Sequence, residues 1–253
     1  MPLEDLHPER DRALSFGVDA SAYDRSRSGY PAALLDDLVV VPVIAALDVG
    51  CGTGKVAVEL ARRRVPVLGV DPDPRMAAVA RQHGITVEIG RFEDWDDAGR
   101  RFDLITCGHA WHWIDPVPGL EKAARLLEPG GRLARFWNYH VVPADLLTEF
   151  RAIYADLAPA ATVIGGDPGG VPDAPDPFTS HPAFTASAPR TYRWQRRLTG
   201  GQWADLVATF ADHRRLRPEI LHRLRSALRE SIERHGGIVD VEGGTYVLRA
   251  RRQ

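Results

Sequence analysis

LDVGCGTGKVAVEL, residues 47–60, is the stretch that decides the fold. An apolar run leads into glycines at alternating positions, Gly50, Gly52 and Gly54, and a helical pattern follows. Glycine adopts backbone conformations that other residues resist, and its missing Cβ lets a ligand lie directly against the chain. The N-terminus of the next helix would present free N–H groups to a negative group. The stretch therefore predicts a strand, a ligand-binding turn and a helix.

The alternation of strand and helix continues along the chain. Apolar runs typical of buried strands alternate with segments whose apolar residues recur at helical spacing. This pattern predicts a doubly wound, Rossmann-like α/β fold, with a mostly parallel seven-stranded sheet and helices on both faces. The pair Gly243–Gly244 separates two late apolar runs and predicts a hairpin there. The predicted strands are 44–50, 65–71, 85–90, 101–108, 132–138, 190–200 and 245–252, and the helices are 53–63, 74–84, 117–131, 143–158, 201–213 and 218–236.

Two segments depart from this alternation. Residues 1–40 are predicted to form a helical lead-in, in which Pro31 can start a helix. Residues 159–189 contain seven Pro and four Gly and show no periodicity, which predicts an inserted Pro/Gly-rich loop. Loops of this length in compact domains are either functional or simple surface insertions, and the sequence leaves both open.

Composition narrows the class of protein. The 253 residues are 44% hydrophobic and 26% charged, as in ordinary globular domains. We expect no membrane segment, because no apolar run reaches spanning length, and no signal peptide, because the charged N-terminus lacks an apolar core. Two cysteines, Cys51 and Cys107, are too few for a disulfide framework and fit a reducing compartment, so we predict a cytoplasmic protein.

Charge is uneven along the chain. Residues 190–253 carry 14 Arg against 7 acidic residues, although the net charge of the protein is −2. The arginines are interleaved with acids, which favours solvated helix faces over a nucleic-acid surface.

The glycine spacing separates two kinds of nucleotide cofactor. In the dinucleotide motif G-x-G-x-x-G the third glycine would fall on Lys55, but it stands at Gly54. Asp71 ends the second predicted strand, where an acid accepts hydrogen bonds from ribose hydroxyls. The spacing therefore disfavours a nicotinamide dinucleotide, while Asp71 indicates an unphosphorylated ribose.

The turn resembles the first motif of the class I S-adenosylmethionine (SAM)-dependent methyltransferases, D/E-x-G-x-G-x-G, in which Asp48 takes the first place. Other segments are similar to the branch that includes trans-aconitate methyltransferase-like enzymes and actinobacterial small-molecule methyltransferases. These segments are YDRSRSGYP (23–31), GRFEDWD (90–96), GHAWHWID (108–115) and ARLLEPGGRLARFWN (124–138).

The resemblance implies SAM as cofactor and S-adenosylhomocysteine (SAH) as product, and no residue spacing indicates a metal site. Arg27 would pair with the SAM carboxylate, or else form a salt bridge within the lead-in. Many relatives offer an aspartate to the adenine where Arg91 stands, so we expect Glu93 to take that role. The implied cofactor-binding residues are Tyr23, Arg27, Asp48, Gly50, Cys51, Gly52, Gly54, Asp71, Pro72, Met76, Phe92, Glu93, Gly108 and His109.

His112 is the predicted catalytic residue. It follows the fourth strand, and ligands of such sheets bind beyond the carboxyl ends of the strands. A histidine can accept a proton from a hydroxyl or amine nucleophile. The alternatives are a histidine that orients a carboxylate or one that only shapes the loop. The predicted substrate-binding residues are Tyr30, Trp111, Trp113 and Asn138.

Together these features predict a single class I methyltransferase domain over residues 1–253, with a lid or lead-in (1–40), a SAM-binding core (41–140) and a substrate side (141–253). The predicted reaction is in-line methyl transfer to an oxygen, hydroxyl or carboxylate, of a small molecule. The alternatives are N- or C-methylation of a small molecule, methylation of RNA or protein, and SAM binding without catalysis. A homodimer is compatible with the sequence, which leaves the oligomeric state open.

Overall fold

One eight-stranded sheet organises the part of the chain that the computed structural model describes, residues 14–166, 178 and 181–253. The strand order is β3-β2-β1-β4-β5-β8-β6, and β7 also pairs with β8. β1 to β5 run parallel, and β8 is antiparallel to β5, β6 and β7. The strands are β1 (Ala46–Val49), β2 (Val67–Asp71), β3 (Thr86–Ile89), β4 (Phe102–Gly108), β5 (Leu127–Val141), β6 (Phe184–Ala186), β7 (Arg190–Thr199) and β8 (Ile238–Arg252).

Helices connect and cover these strands, and several begin at residues suited to capping. Asp73 and Asp115 each accept a backbone N–H at a helix start where a proline follows, and Thr199 forms a capping box with Gln202. None of the described helices combines the length and apolar character needed to cross a membrane. The helices are α1 (Ala20–Ser26), α2 (Ala32–Leu38), α3 (Lys55–Arg62), α4 (Pro74–Gln82), α5 (Pro116–Leu126), α6 (Ala144–Leu157), α7 (Gly200–Val207) and α8 (Pro218–Arg234).

Apolar side chains form separate cores in the two halves of the molecule. In the N-terminal half, Leu47 and Leu104 pack among the helices that cover the parallel strands. A second core joins α6, α7 and α8 to the start of β8 and includes Phe150 and Trp203, which are completely buried. We name the two halves after the roles that the sequence predicts for them, the cofactor half and the acceptor half, and they supply opposite walls of the cavity described below.

The predicted fold class is confirmed, with one strand more than expected. The extra strand is β6, which lies inside the predicted loop 159–189 and is too short to give an alternating pattern. The described part of the lead-in contains a 3₁₀-helix (Leu14–Asp19), α1 and α2, with a non-helical link at 27–31 between α1 and α2. The first residues of the lead-in, 1–13, and residues 167–177 and 179–180 of the loop lie outside the described part of the chain.

The predicted hairpin at Gly243–Gly244 is wrong, because β8 runs straight through this pair. The two glycines face His140 and Tyr139 of β5. A Cβ on Gly243 would lie 2.4 Å from the Trp194 ring, and one on Gly244 would lie 2.5 Å from the Tyr139 hydroxyl. The glycines therefore make room for aromatic rings that cross the strand.

The helix predicted at 201–213 ends early, at Val207. The N–H and Oγ1 of Thr209 both donate to the Leu206 carbonyl, at 3.0 and 2.6 Å. A side-chain hydroxyl that bonds to the backbone in this way competes with helix continuation. The chain turns over residues 208–212 and then forms a short 3₁₀-helix, His213–Arg215.

Candidate active site

A cavity of ≈ 530 Å³ opens at the carboxyl ends of β1, β2 and β4, where the strand order reverses. Ligands of doubly wound sheets bind at such a point. Most of the predicted site residues line it, and they come from the lead-in, the glycine turn and the ends of β2, β3 and β4. These are Tyr23, Arg27, Gly50, Gly52, Asp71, Pro72, Met76, Phe92, Glu93, Gly108, His109, His112 and Trp113.

The three motif glycines have different roles. All have positive φ, at 61° for Gly50, 55° for Gly52 and 85° for Gly54. A Cβ on Gly50 would lie 2.3 Å from the Ala110 Cβ, so glycine at this position lets the turn after β1 approach the loop after β4. Gly54 does not line the cavity; a Cβ there would lie 3.0 Å from the Ala80 Cβ. It lets α3 pack against α4.

Asp71 is held in place beside the turn. Its Oδ2 accepts the Gly52 N–H at 2.8 Å, and its Oδ1 accepts the Asp73 N–H at 2.9 Å. Burial raises the pKa of Asp71 to about 6, although these two hydrogen bonds act in the opposite direction. The carboxylate is thus fixed before any ligand arrives, and its remaining lone pairs can accept ribose hydroxyls.

A smaller cavity of ≈ 40 Å³ lies next to the glycine turn and is lined by Tyr30, Asp48, Cys51, Thr53 and Lys55 among others. Asp48 accepts a hydrogen bond from Thr106 Oγ1 at 2.8 Å, and its buried Oδ2 has no hydrogen-bond partner among the described residues. The buried Thr53 hydroxyl interacts with the Asp24 carboxylate and lowers the pKa of Asp24. Burial raises the pKa of Asp48 to about 7. Buried polar atoms without partners are costly. This cavity therefore suits a small ligand group that donates a hydrogen bond to Asp48.

His109 is half-buried and fixed in one tautomer. Its Nε2 accepts the Asn138 N–H at 2.7 Å, so the proton of the neutral ring lies on Nδ1. Burial and the nearby Arg27 lower the pKa of His109 well below its ordinary value. Asn138 lines neither cavity. Its side chain donates to the Gly29 carbonyl and accepts from Thr245 Oγ1, and so ties the lead-in to the sheet.

The loop after β4 directs two of its aromatic residues to the cavity and one to the core. His112 and Trp113 line the cavity, with their rings 4.5 Å apart, and His112 is exposed. Trp111 is buried against Phe178, with ring centroids 5.8 Å apart, and lines neither cavity. Glu93 Oε1 accepts the Asp115 N–H at 2.9 Å and so holds this loop.

Sequence reasoning missed the wall that the acceptor half supplies. Phe210, Ala211 and Asp212 follow α7, Thr162 follows α6, and all four line the cavity; so does Phe16 of the lead-in. No motif marks these residues, because they lie in turns whose position depends on how the helices pack.

Asp212 is the charged residue of that wall. Its Oδ2 accepts the Thr162 N–H at 2.7 Å, and its Oδ1 lies 3.0 Å from His213 Nδ1. Burial opposes ionisation of Asp212, but these hydrogen bonds outweigh burial and lower its pKa below the ordinary value. His213 Nε2 lies 2.7 Å from the Tyr154 hydroxyl, so the network reaches into the acceptor-half core.

Comparison with known proteins agrees with this geometry. Residues 46–131 match the family described as "Methyltransferase domain". An uncharacterised methyltransferase of Mycobacterium tuberculosis is 32% identical over 228 residues, which cover 87% of each chain. A ubiquinone biosynthesis O-methyltransferase of Alkalilimnicola ehrlichii is 37% identical over 95 residues, or 34% of this chain and 38% of that one. Among solved structures, one described as a type II methyltransferase candidate from Anaeromyxobacter dehalogenans has the same fold, with a TM-score of 0.67. The two sequences are 22% identical, and the match covers 89% of this chain and 97% of that chain.

Proposed function

This chain belongs to the class I SAM-dependent methyltransferases, and from that premise we propose that it methylates an oxygen atom of a small molecule. The observation that carries the proposal is the position of His112. It lies on the wall of the same cavity as Asp71 and the glycine turn, and the loop that bears it is held by Glu93.

The residues present fit the cofactor. Asp71 would accept the ribose hydroxyls, and Phe92 and Glu93 would lie beside the adenine. The unpartnered Asp48 Oδ2 of the small cavity would accept a hydrogen bond from the ammonium of the aminoacyl end. When bound, SAM supplies an electrophilic methyl group on a positive sulfonium.

The protein would contribute alignment, exclusion of water and proton removal. Trp113 and Phe16, whose ring centroids are 6.3 Å apart, form an apolar part of the wall that keeps water from the reacting atoms. Holding the acceptor in line supplies a large share of the rate enhancement in such reactions. His112 would accept the proton of an acceptor hydroxyl. A carboxylate acceptor needs no base, and His112 would then only orient it.

We propose that the whole chain acts as one catalytic domain in the cytoplasm, on a small-molecule acceptor. The A. ehrlichii relative, by name an O-methyltransferase, supports oxygen over nitrogen or carbon as the methylated atom.

The test is transfer of labelled methyl from SAM to a panel of phenols, hydroxy acids, carboxylic acids and amines. We expect products methylated on oxygen. For a hydroxyl acceptor, His112→Ala should lower kcat about 10²–10⁴-fold and leave the Kd for SAH nearly unchanged. His222→Ala, at an exposed histidine of α8, is the matched control and should change neither.

Products methylated only on nitrogen or carbon would contradict the proposal, and so would SAM binding without transfer to any acceptor. An unchanged kcat in His112→Ala with hydroxyl acceptors would remove the base assignment alone.

A further inference from the structure

Asp24 of α1 joins the lead-in to the turn that carries the motif glycines. Its Oδ2 lies 3.0 Å from Nε2 of His83, at the end of α4, and its Oδ1 lies 3.4 Å from Nζ of Lys55, the first residue of α3. The backbone carbonyl of Asp24 also accepts a hydrogen bond from Lys55 Nζ at 2.6 Å. The hydroxyl of Thr53, within the turn itself, interacts with the same carboxylate. One residue of the lead-in therefore contacts three segments of the cofactor half.

These contacts stabilise an ionised, partly buried carboxylate. Burial opposes the ionisation of Asp24, but the hydrogen bonds with Thr53 and His83 and the charge of Lys55 outweigh burial and lower its pKa. The side chains of Asp24 and Lys55 are only 22% and 23% exposed, so this ion pair is more shielded from water than an ordinary surface pair. Losing Asp24 would leave two donors of the cofactor half without their acceptor.

The residues beside Asp24 form part of the cavity wall. Tyr23 precedes it and lines both cavities, and Arg27, one helical turn further on, lines the large one. The Arg27 N–H donates to the Tyr23 carbonyl at 2.9 Å, so the end of α1 is held as one turn. The position of Asp24 therefore sets the positions of Tyr23 and of Arg27, the predicted partner of the SAM carboxylate.

The apolar contact between α1 and α4 is small. Its buried members are Ala20, Met76 and Val79, with Phe16 and Tyr23 packed against them. A satellite cluster of this size stabilises the contact, but hydrogen bonds depend on direction and fix it in one geometry. Asp24 supplies that direction.

We propose that Asp24 is a positioning residue for the cofactor. It fixes the lead-in against the glycine turn, so that Tyr23 and Arg27 stay on the cavity wall and retain SAM. His112 lies outside these contacts, so Asp24 acts on cofactor retention and not on the transfer step. The inference holds whichever acceptor atom is methylated.

The test measures SAH binding to the full chain by calorimetry and SAH dissociation by stopped-flow displacement with excess SAM. Asp24→Ala should raise the Kd for SAH about tenfold, mainly through faster dissociation. Hydrogen exchange of the backbone amides of residues 20–27 should become faster as well. Alanine favours helix, so weaker helix propensity would not explain either change. Asp24→Glu should recover part of the affinity, because it keeps the charge.

His83 offers a second route to the same contact. It lines neither cavity, so it can affect the cofactor only through the elements that it contacts. His83→Ala should raise the Kd for SAH about threefold, and the double variant Asp24→Ala/His83→Ala should bind no more weakly than Asp24→Ala alone. Asp36→Asn is the matched control, because Asp36 also joins the lead-in to α3, through Arg63, but is 66% exposed. It should behave as wild type.

Three results would overturn the assignment. They are unchanged SAH dissociation in Asp24→Ala, an equal loss of affinity in Asp36→Asn, and full additivity of the Asp24 and His83 substitutions. A lower melting temperature of Asp24→Ala with unaltered SAH binding would reduce Asp24 to a purely structural role. If Asp24→Ala fails to fold, His83→Ala and Asp24→Glu decide. Methylation on nitrogen or carbon would refute the proposed function and leave this inference standing, whereas wild-type protein that binds no SAH would refute the inference.

Discussion

The two walls of the cavity are built in different ways. The cofactor wall comes from short segments at the ends of neighbouring parallel strands, and its key atoms are fixed by backbone hydrogen bonds, as Asp71 is by Gly52 and Asp73. The acceptor wall comes from turns after α6 and α7 and depends on a core of its own. The difference indicates that the cofactor wall is set by local chain geometry, and the acceptor wall by helix packing.

The largest effect that we expect is a loss of folding stability when the acceptor-half core is disrupted. Trp203 is completely buried in the acceptor-half core, where its ring stacks on Phe150 at 5.7 Å. Trp203→Ala should lower the free energy of unfolding by about 3–5 kcal/mol, because it removes a large buried ring and leaves a cavity. Urea unfolding measures this loss, and Trp203→Phe is the milder control.

In the Trp203→Ala protein, the Kd for SAH measured below the unfolding transition should stay close to the wild-type value. A parallel loss of SAH affinity would show that the two walls are not independent.

A smaller effect concerns the cofactor wall. Asp71→Asn should weaken SAH binding about 100-fold, equivalent to about 2.7 kcal/mol, because the amide loses the charge and faces two backbone N–H donors with only one oxygen. Calorimetric titration measures it, with Asp94→Asn at an exposed carboxylate as control. Binding within threefold of wild type would exclude Asp71 as the ribose acceptor.

The smallest effect is a pH dependence that has opposite signs for affinity and stability. Hydroxyl donors favour the ionised carboxylate, so below the pKa of Asp71, about 6, SAH affinity should fall by up to about tenfold per pH unit. The raised pKa means that the free folded protein holds this proton more tightly than the unfolded chain does. The contribution of Asp71 to stability is therefore present at low pH and is lost as pH rises from about 4 to about 6.

Titrations with SAH between pH 5 and pH 8, together with thermal melts of the free protein, measure the two slopes. Asp71→Asn should remove the contribution of Asp71 to the pH dependence of SAH affinity and to that of stability. An SAH affinity that rises as the pH falls would contradict the role given to Asp71.

The sequence was informative where one local pattern decides the structure. The glycine turn and Asp71 could be predicted because an apolar strand, alternating glycines and an acid occur together within 25 residues. Thr162 and Asp212 could not, since they lie 50 residues apart and meet only through helix packing. Asn138 shows the opposite limit. Its place at the end of the predicted strand 132–138 suggested a ligand contact, but β5 continues to Val141 and the Asn138 side chain bonds to Gly29 and Thr245.

β8 passes through both halves of the molecule. Val239 and Val241 belong to the acceptor-half core, whereas Tyr246 and Leu248 pack in the core of the cofactor half, and Gly243–Gly244 lie between them. Because side chains alternate between the two faces of a sheet, adding or deleting one residue at this junction would move the side chains of one half of the strand to the opposite face. The length of this strand is therefore constrained, and insertions that reshape the acceptor wall have to enter through the connecting turns.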